Sequence, residues 1–190
     1  SLGVIGRHQV SNALAAAAAA LAVGLDIQLV ADALSEAVQR SSWRMELMPR
    51  ADGVLILNDA YNANPDSMAA ALATAVELVH GTRRDHPEAR VIAVLGDMLE
   101  LGPLAEELHE EAGRLAADLG VAEIVAVGDL ASQIVAGATS EGIAARVADR
   151  NDVASSLSLK PGDVVLIKGS RGVGLETVAA ELADEDGAVK

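Results

Sequence analysis

Three short polar segments of this 190-residue chain each follow an apolar run, and each carries side chains able to bind a ligand. Residues 58–65 (NDAYNANP) hold an aspartate, three asparagines and the only tyrosine. Residues 96–102 (GDMLELG) hold Asp97 and Glu100, whose carboxylates suit a substrate ammonium group. Residues 168–174 (KGSRGVG) combine a lysine and an arginine with three glycines, a composition that favours an anion such as phosphate or carboxylate.

Each segment also has a purely structural interpretation. The glycines of residues 168–174 suit a tight strand-to-helix turn, because glycine adopts positive φ without steric cost. Their spacing is not the dinucleotide pattern G-x-G-x-x-G, and the P-loop pattern G-x-x-x-x-G-K-[ST] occurs nowhere in the chain. Loop carboxylates are more often solvated than functional, and His109, within an acidic run, is expected at a helix surface. No spacing of His, Asp and Glu matches a metal motif, so no metal ligand is predicted.

The elements that position these segments are indicated by short β-branched runs separated by longer helical stretches. The four clear runs are residues 54–57, 91–95, 124–127 and 164–167. Continuous apolar runs of this length are typical of strands covered by helices on both faces. Residues 45–48 are predicted to pair with the first run as an antiparallel hairpin, and residues 145–148 are a weaker edge-strand candidate.

The predicted fold class is α/β: a Rossmann-like, doubly wound, mostly parallel sheet with one antiparallel edge hairpin, preceded by an N-terminal helical hairpin. The alanine-rich residues 12–24 and the periodic residues 27–40 form that helical hairpin. Asn64 and Pro65 are expected to begin a helix after the first buried strand. In such sheets ligands bind outside the carboxyl ends of the strands, where the three polar segments lie.

Composition excludes several classes of partner. The formal net charge of −14 disfavours nucleic-acid backbones and anionic membrane surfaces, which need clustered Lys or Arg. Without cysteine, the chain has no disulfide, thiolate nucleophile or Cys-ligated metal. The longest uncharged apolar stretch, residues 13–25, is shorter than the roughly 20 residues that span a bilayer, so a soluble, unsecreted protein is expected. Because aromatics are 1% of the residues, the core is expected to consist of Ala, Val, Leu and Ile.

Four strings in order resemble the Mur ligase family and together extend over nearly the whole chain. They are GRHQVSNALAA at residues 6–16, DAYNANPDSM at 59–68, GDMLELG at 96–102 and KGSRGVGLE at 168–176. The second and third strings are most similar to family members that act on D-alanyl-D-alanine. The resemblance implies a cytoplasmic, ATP-dependent ligase that joins D-Ala-D-Ala to UDP-N-acetylmuramoyl-tripeptide through an acyl phosphate. That activity supplies a peptidoglycan precursor, and so supports cell wall biogenesis, cell shape and cell division.

By the same resemblance, residues 1–42 are the helical end of a central ATPase domain and residues 43–190 are the C-terminal Rossmann-like domain. The implied partners are the two substrates and the missing N-terminal and central domains of the same enzyme, with no nucleic acid and no membrane. ATP and Mg2+ are the implied cofactors, with most of their ligands in the missing domains. Because the P-loop is absent from this chain, no catalytic residue is assigned and the fragment alone is expected to be inactive.

The resemblance also implies roles for individual residues. On the nucleotide side, His8 and Asn12 lie in the segment that approaches adenine, Arg44 lies near the ATP phosphates and Asp59 near the ribose. The implied substrate-binding residues are Tyr61, Asn62, Asn64, Asp97, Glu100, Lys168, Ser170 and Arg171. Within this set the two acids would face the amine of D-Ala-D-Ala, and the last three residues would hold a carboxylate.

Two other functions stay open at this point. Residues 43–190 form a self-contained α/β pattern without a P-loop, which suits a free-standing, non-catalytic module that binds a small anion. A related ligase such as a folylpolyglutamate synthase is the other alternative, although the strings at residues 59–68 and 96–102 do not suit it.

Overall fold

The computed structural model describes residues 2, 4–6, 8–37 and 41–184, with residue 8 described by its backbone only. The chain divides into two compact units, Ser1–Ser42 and Trp43–Lys190. Within the described ranges, no helix combines the length and the apolar character needed to cross a membrane.

The first unit contains two helices, α1 (His8–Ala22) and α2 (Ile27–Ser35). Gly24, with a φ of +88°, lies in the turn between them. The carboxylate of Asp26 caps α2 by accepting hydrogen bonds from two backbone N–H groups of the first turn. Helix α1 begins four residues before its predicted start. Helix α2 ends at Ser35 and residues 36 and 37 are not helical, so the predicted helix over residues 27–40 is too long; residue 40 itself lies outside the described residues.

The second unit is built on one six-stranded sheet. Its strands are β1 (Glu46–Pro49), β2 (Leu55–Asp59), β3 (Val91–Gly96), β4 (Glu123–Val127), β5 (Ala144–Val147) and β6 (Val164–Lys168). The spatial order is β1-β2-β6-β3-β4-β5. Strand β1 runs antiparallel to β2, and every other neighbouring pair is parallel. The predicted α/β fold with one antiparallel edge hairpin is therefore confirmed.

Helices cover both faces of this sheet. They are α3 (Pro65–Thr82), α4 (Ala105–Asp118), α5 (Ala131–Ser140), α6 (Val153–Ser156) and α7 (Glu176–Asp184). Leu57 belongs to a core with α3, α4 and α5, whereas Ile56 belongs to a core with α6 and α7. The two residues divide in this way because successive side chains of a strand point to opposite faces. Aliphatic residues fill both cores, and three methionines join them in the first.

Helices α4 and α5 pack closely through two glycines. A Cβ atom on Gly113 of α4 would overlap the carbonyl oxygen of Ile134, and a Cβ atom on Gly137 of α5 would overlap that of Glu110. The close approach therefore depends on the absence of both side chains. Helix α5 is not predicted from the sequence, because its run of small residues lacks a strong helical period.

Candidate functional site

The polar segments singled out in the sequence meet at the carboxyl edge of the sheet. Strand β6 lies between β2 and β3. Lys168, at the end of β6, is in register with Asp59 on one side and with Leu95 on the other. The three segments therefore lie side by side, with the one that follows β6 in the middle.

Lys168 faces the loop that follows β2. Its Nζ atom lies 2.5 Å from Oδ2 of Asp59 and donates a second hydrogen bond, of 2.9 Å, to the carbonyl oxygen of Asn62. Lys168 is only 1% exposed. Burial lowers the pKa of Lys168 and the charge of Arg44 acts in the same direction, while the carboxylate of Asp59 opposes both. The expectation that Lys168 holds a substrate carboxylate does not fit this geometry, because its ammonium group is enclosed and paired.

Asp59 also fixes the segment around Arg44. Its second oxygen, Oδ1, accepts a hydrogen bond of 2.9 Å from the backbone N–H of Met45. The backbone N–H of Tyr61 donates to the carbonyl oxygen of Trp43, at 3.0 Å. Residues 43–45, which precede β1, are thus tied to the loop after β2.

Two arginines stack on two aromatic rings at this edge. The Cζ atom of Arg44 lies 4.0 Å from the centre of the Tyr61 ring. The Cζ atom of Arg171, from the loop after β6, lies 4.6 Å from the centre of the Trp43 ring and 5.8 Å from that of Tyr61. We refer to Trp43 and Tyr61 together as the aromatic platform. Stacking of this kind holds a guanidinium in place while leaving its N–H donors free to bind an anion.

Asp97 connects the loops that follow β3, β4 and β6. Its carboxylate accepts hydrogen bonds from the backbone N–H groups of Asp129, at 2.8 Å, and Leu130, at 3.1 Å. Its carbonyl oxygen accepts one from the backbone N–H of Ser170, whose hydroxyl oxygen in turn accepts one from the backbone N–H of Leu99. At 6% exposure, Asp97 is mainly an anchor between loops, and Ser170 shares that role.

His109 supports the same loop from beneath. The surface position expected from sequence is wrong, because His109 is fully buried. Its Nε2 atom accepts a hydrogen bond of 2.9 Å from the backbone N–H of Met98, and its Nδ1 atom lies 2.6 Å from the carbonyl oxygen of Ala105. An acceptor at Nε2 and a carbonyl partner at Nδ1 correspond to a neutral imidazole protonated on Nδ1.

A cleft of about 510 Å3 opens on the side of this network that faces β4 and β5. It is lined by Asp97, Leu99, Val127, Gly128, Asp129, Ala148, Asp149, Arg150, Asn151, Gly172 and Val173. Arg150 uses Nη1 for a hydrogen bond of 3.2 Å to the carbonyl oxygen of Val173 and retains four other N–H donors. The cleft therefore combines carboxylates with one guanidinium, a combination suited to a zwitterion.

Sequence reasoning missed the residues that come from β4 and β5. Asp129 directly follows Gly128 at the end of β4, and Arg150 follows the end of β5, so the strand-end rule that selected the other loops applies to them as well. A Cβ atom on Gly128, which has a φ of +123°, would overlap the carboxyl group of Asp97. Glycine is required there for the turn to approach Asp97.

The remaining sequence-predicted residues have separate environments. Asn64 caps α3 by accepting a hydrogen bond of 2.8 Å from the backbone N–H of Ser67, as predicted for a helix start. The side chains of Asn62 and Glu100 are exposed, and Glu100 has a φ of +67° and is not among the cleft-lining residues. His8 and Asn12 lie on α1 of the first unit, where Asn12 donates a side-chain hydrogen bond to Gln9.

The described residues offer no ready-made metal site. Nowhere among them do three His, Asp or Glu side chains come together in a group able to hold a metal ion. No described residue is therefore assigned to Mg2+, and no step below is routed through it.

Residues 43–171 match the family profile described as "Mur ligase, glutamate ligase domain". Over 97% of its length the chain is 44% identical to the UDP-N-acetylmuramoyl-tripeptide–D-alanyl-D-alanine ligase of Mycobacterium tuberculosis, and over 95% it is 34% identical to that of Bacillus subtilis. It spans only 39% of the length of either relative. A crystal structure of MurF from Acinetobacter baumannii, 31% identical, superposes with a TM-score of 0.77, covering 94% of this chain and 38% of that one.

Proposed function

Because this chain belongs to the Mur ligase family, we propose that it forms the C-terminal part of an ATP-dependent ligase that joins D-alanyl-D-alanine to UDP-N-acetylmuramoyl-tripeptide. The observation that carries the proposal is the 44% identity, over 97% of this chain, to the Mycobacterium tuberculosis enzyme of that name. The reaction would take place in the cytoplasm and yield the pentapeptide precursor of peptidoglycan.

In the proposed reaction ATP first transfers its terminal phosphoryl group to the carboxylate at the end of the tripeptide, which gives an acyl phosphate and ADP. The amine of D-Ala-D-Ala then attacks the acyl carbon through a tetrahedral intermediate. Collapse of that intermediate releases inorganic phosphate and leaves an amide bond, while the amine gives up a proton. No catalytic residue for phosphoryl transfer is assigned within this chain, because the P-loop pattern is absent from it.

The cleft is the proposed site of D-Ala-D-Ala. This dipeptide is a zwitterion, so it needs acceptors for its ammonium group and donors for its carboxylate. Asp129 and Asp149 line the cleft and are exposed, and Arg150 lines the same cleft with N–H donors beyond the one bonded to Val173. A guanidinium recognises a carboxylate through two parallel hydrogen bonds, which fixes the orientation of the dipeptide. Asp97, expected to face the amine, contributes to this wall chiefly by holding the Asp129 turn.

The nucleotide is proposed to lie on the other side of the loop after β6. Arg44 is assigned to the ATP phosphates and Asp59 to the ribose. The support in the second unit is that Asp59 fixes the backbone at Met45, directly after Arg44. In the first unit His8 and Asn12 are assigned to the adenine side, and most of the Mg2+ ligands are assigned to the other domains of the enzyme.

Residues 1–42 are proposed to be the end of the central ATPase domain, with residues 43–190 as the C-terminal domain. Helices α1 and α2 leave large apolar side chains exposed, at Val10, Leu14, Leu21, Ile27 and Leu29. Among the described side chains of these two helices, only Val30 is buried. An apolar surface of this kind suits helices that complete a larger core.

The test uses the complete polypeptide with ATP, UDP-N-acetylmuramoyl-tripeptide and D-Ala-D-Ala. We expect ADP release that depends on both substrates, together with formation of the pentapeptide product. Arg150→Gln should raise the KM for D-Ala-D-Ala by about tenfold or more, since a lost charge-assisted hydrogen bond is worth about 1.5–3 kcal/mol. Arg146→Gln is the matched control, because Arg146 lies on β5 outside the cleft and bonds to Ser156.

Two outcomes contradict the proposal. Absence of turnover with the muramoyl-tripeptide would favour the free-standing anion-binding module or a related ligase. An equal rise in the KM for D-Ala-D-Ala in the Arg146 and Arg150 variants would contradict the proposal that the dipeptide binds in the cleft.

A further inference from the structure

The only tryptophan and the only tyrosine of the chain are both stacked against arginines. Arg44 stacks on Tyr61, and Arg171 stacks on Trp43 while bordering the Tyr61 ring as well. Tyr61 is 38% exposed and Trp43 is partly exposed, so neither ring is there to fill a hydrophobic core. The chain has no phenylalanine, and all of its aromatic residues are therefore concentrated at this point.

Trp43 adopts a strained backbone conformation. Its φ of +61° lies in the left-handed region, which is uncommon for a bulky residue and persists where surrounding contacts enforce it. The Trp43 N–H donates a hydrogen bond of 3.1 Å to Oε2 of Glu46, and the Trp43 carbonyl accepts one from Tyr61. Met45 is also left-handed, with a φ of +51°. The backbone is thus fixed in an unusual shape on both sides of Arg44.

The two stacked guanidiniums are not neutralised by any described carboxylate. Among residues 41–184 no ion pair joins Arg44 or Arg171 to an acid, whereas the neighbouring Lys168 is paired with Asp59. Burial is the main cause that lowers the pKa of Lys168, Asp59 opposes it, and the charge of Arg44 adds a smaller lowering, so Arg44 lies near this lysine. In a chain of net charge −14, two unpaired guanidiniums at one ring indicate an anion site.

Arg171 is separated from the cleft by its own loop. Its neighbours Gly172 and Val173 line the cleft, but Arg171 does not, and its guanidinium contacts the aromatic platform instead. The resemblance implied that Arg171 binds a carboxylate, which in the cleft would be that of D-Ala-D-Ala. For this role the Arg171 guanidinium would have to lie on the opposite face of its loop. Arg150 already supplies a guanidinium on the cleft side.

We propose that the aromatic platform positions Arg44 and Arg171 as a pair of guanidiniums that binds the phosphates of the nucleotide. The identification of the anion as a nucleotide rests on the proposed function. A phosphate chain offers charge and oxygen atoms for two guanidinium forks, whereas one fork satisfies a single carboxylate. Arg171 is then a second phosphate-binding arginine, and Trp43 is a positioning residue that acts through it.

The inference is tested by measuring ADP binding to the complete ligase by calorimetry. Arg171→Leu should weaken ADP affinity by about tenfold, the effect of losing one charge-assisted interaction. Trp43→Leu, which keeps apolar bulk but removes the ring, should weaken it by about three- to tenfold, the range expected for a lost cation–π contact. Trp43→Phe keeps a ring and should weaken ADP affinity less than Trp43→Leu does. Arg114→Leu, on the surface of α4, is the control and should leave ADP affinity unchanged.

The decisive comparison is a double-variant cycle. If Trp43 acts through Arg171, Trp43→Leu has little further effect on ADP affinity once Arg171 has been replaced by leucine. Equal effects of Trp43→Leu in both backgrounds would overturn the proposal, and so would unchanged ADP affinity in Arg171→Leu. If Arg171→Leu raises the KM for D-Ala-D-Ala but keeps wild-type ADP affinity, Arg171 binds the dipeptide substrate and the proposal is wrong.

The inference and the proposed function fail separately, because ADP binding does not require ligation. Loss of ADP affinity in an enzyme that does not use D-Ala-D-Ala would contradict only the proposed function. Normal ligation with unaltered ADP affinity in the variants would contradict only the arginine pair. Thermal unfolding shows which variants keep the fold. If Trp43→Leu does not, Arg171→Lys replaces it, since lysine keeps the charge but lacks the planar fork and should still weaken ADP binding.

Discussion

Lys168 and Asp59 show how one residue pair determines the roles open to its neighbours. The lysine is enclosed at the end of β6 and its ammonium group contacts Asp59 and the backbone of Asn62. Asp59 in turn holds the backbone at Met45, so that the pair connects two strand ends to the segment carrying Arg44. The buried ammonium group of Lys168 therefore organises the loops at this edge of the sheet.

We expect Lys168→Met to destabilise the fold by about 3 kcal/mol, because it leaves the poorly exposed carboxylate of Asp59 without its partner. Urea denaturation measures the loss. The double variant Lys168→Met with Asp59→Asn removes the uncompensated charge and should recover a large part of the stability. A double variant that is less stable than Lys168→Met alone would contradict a buried ion pair.

The stability that depends on Lys168 should also change with pH. Burial lowers the pKa of Lys168 in the folded chain below 10.5, so between that lowered pKa and 10.5 the unfolded chain binds more protons than the folded one. Stability of the wild type relative to Lys168→Met should therefore rise with pH in this window and stay constant below it. Urea denaturation of both proteins at pH values from about 8 up to 10.5 measures the difference in their free energies of unfolding. A difference that falls as the pH rises would mean that folding raises the pKa of Lys168.

At the scale of elements, the site depends on how closely helices and loops approach one another. The glycines at the contact between α4 and α5 let the two helices approach to backbone distance. Helix α4 carries His109, which holds the loop after β3, and α5 begins beside the turn that Asp97 anchors. The packing of these two helices therefore sets the position of one wall of the cleft.

Gly137→Ala should destabilise the protein by about 2–3 kcal/mol, the usual cost of inserting a methyl group against backbone. Gly81→Ala is its matched control within α3, where nothing lies within 4 Å of the added Cβ atom. That substitution should be neutral or stabilise by up to about 1 kcal/mol, because alanine favours the helix more than glycine does. Thermal unfolding distinguishes the two, and equal shifts in Tm would contradict the described packing of α4 on α5.

For the whole molecule, the net charge is negative and the proposed ligands carry anionic groups as well. A chain with a net charge of −14 repels nucleotides and carboxylates on average, so binding must come from local cations. Arg44 and Arg171 provide them on one side of the loop after β6, and Arg150 provides one on the cleft side. In this proposal the loop after β6 separates the two ligands, and both lie at one edge of the sheet.

The 190-residue chain by itself should release no ADP from ATP in the presence of both proposed substrates, whereas the complete polypeptide should do so. The reason is that phosphoryl transfer needs the lysine and the Mg2+-binding hydroxyl of a P-loop, and the chain has no such pattern. A coupled assay for ADP release compares the two. Substrate-dependent release by the 190-residue chain alone would place the phosphoryl-transfer machinery within it.

The sequence by itself determined the elements whose signals are local. The apolar runs of β2, β3, β4 and β6, and the Asn64 cap that begins α3, are encoded within a few residues of each position. The resemblance of four strings to the Mur ligases was likewise available without coordinates. From parallel strands it followed that the polar segments lie at one edge of the sheet, because the carboxyl ends of such strands share an edge.

Only the tertiary structure decided which side chains of that edge meet. Asp59 and Lys168 are 109 positions apart, and they pair because β6 lies between β2 and β3, an order that no local pattern encodes. The burial of His109, and the stacking of Arg171 on the aromatic platform, likewise depend on contacts with residues distant in sequence. The spacing of apolar residues shows which face of one segment is buried. The partner of a charged side chain depends instead on how separate segments pack on one another.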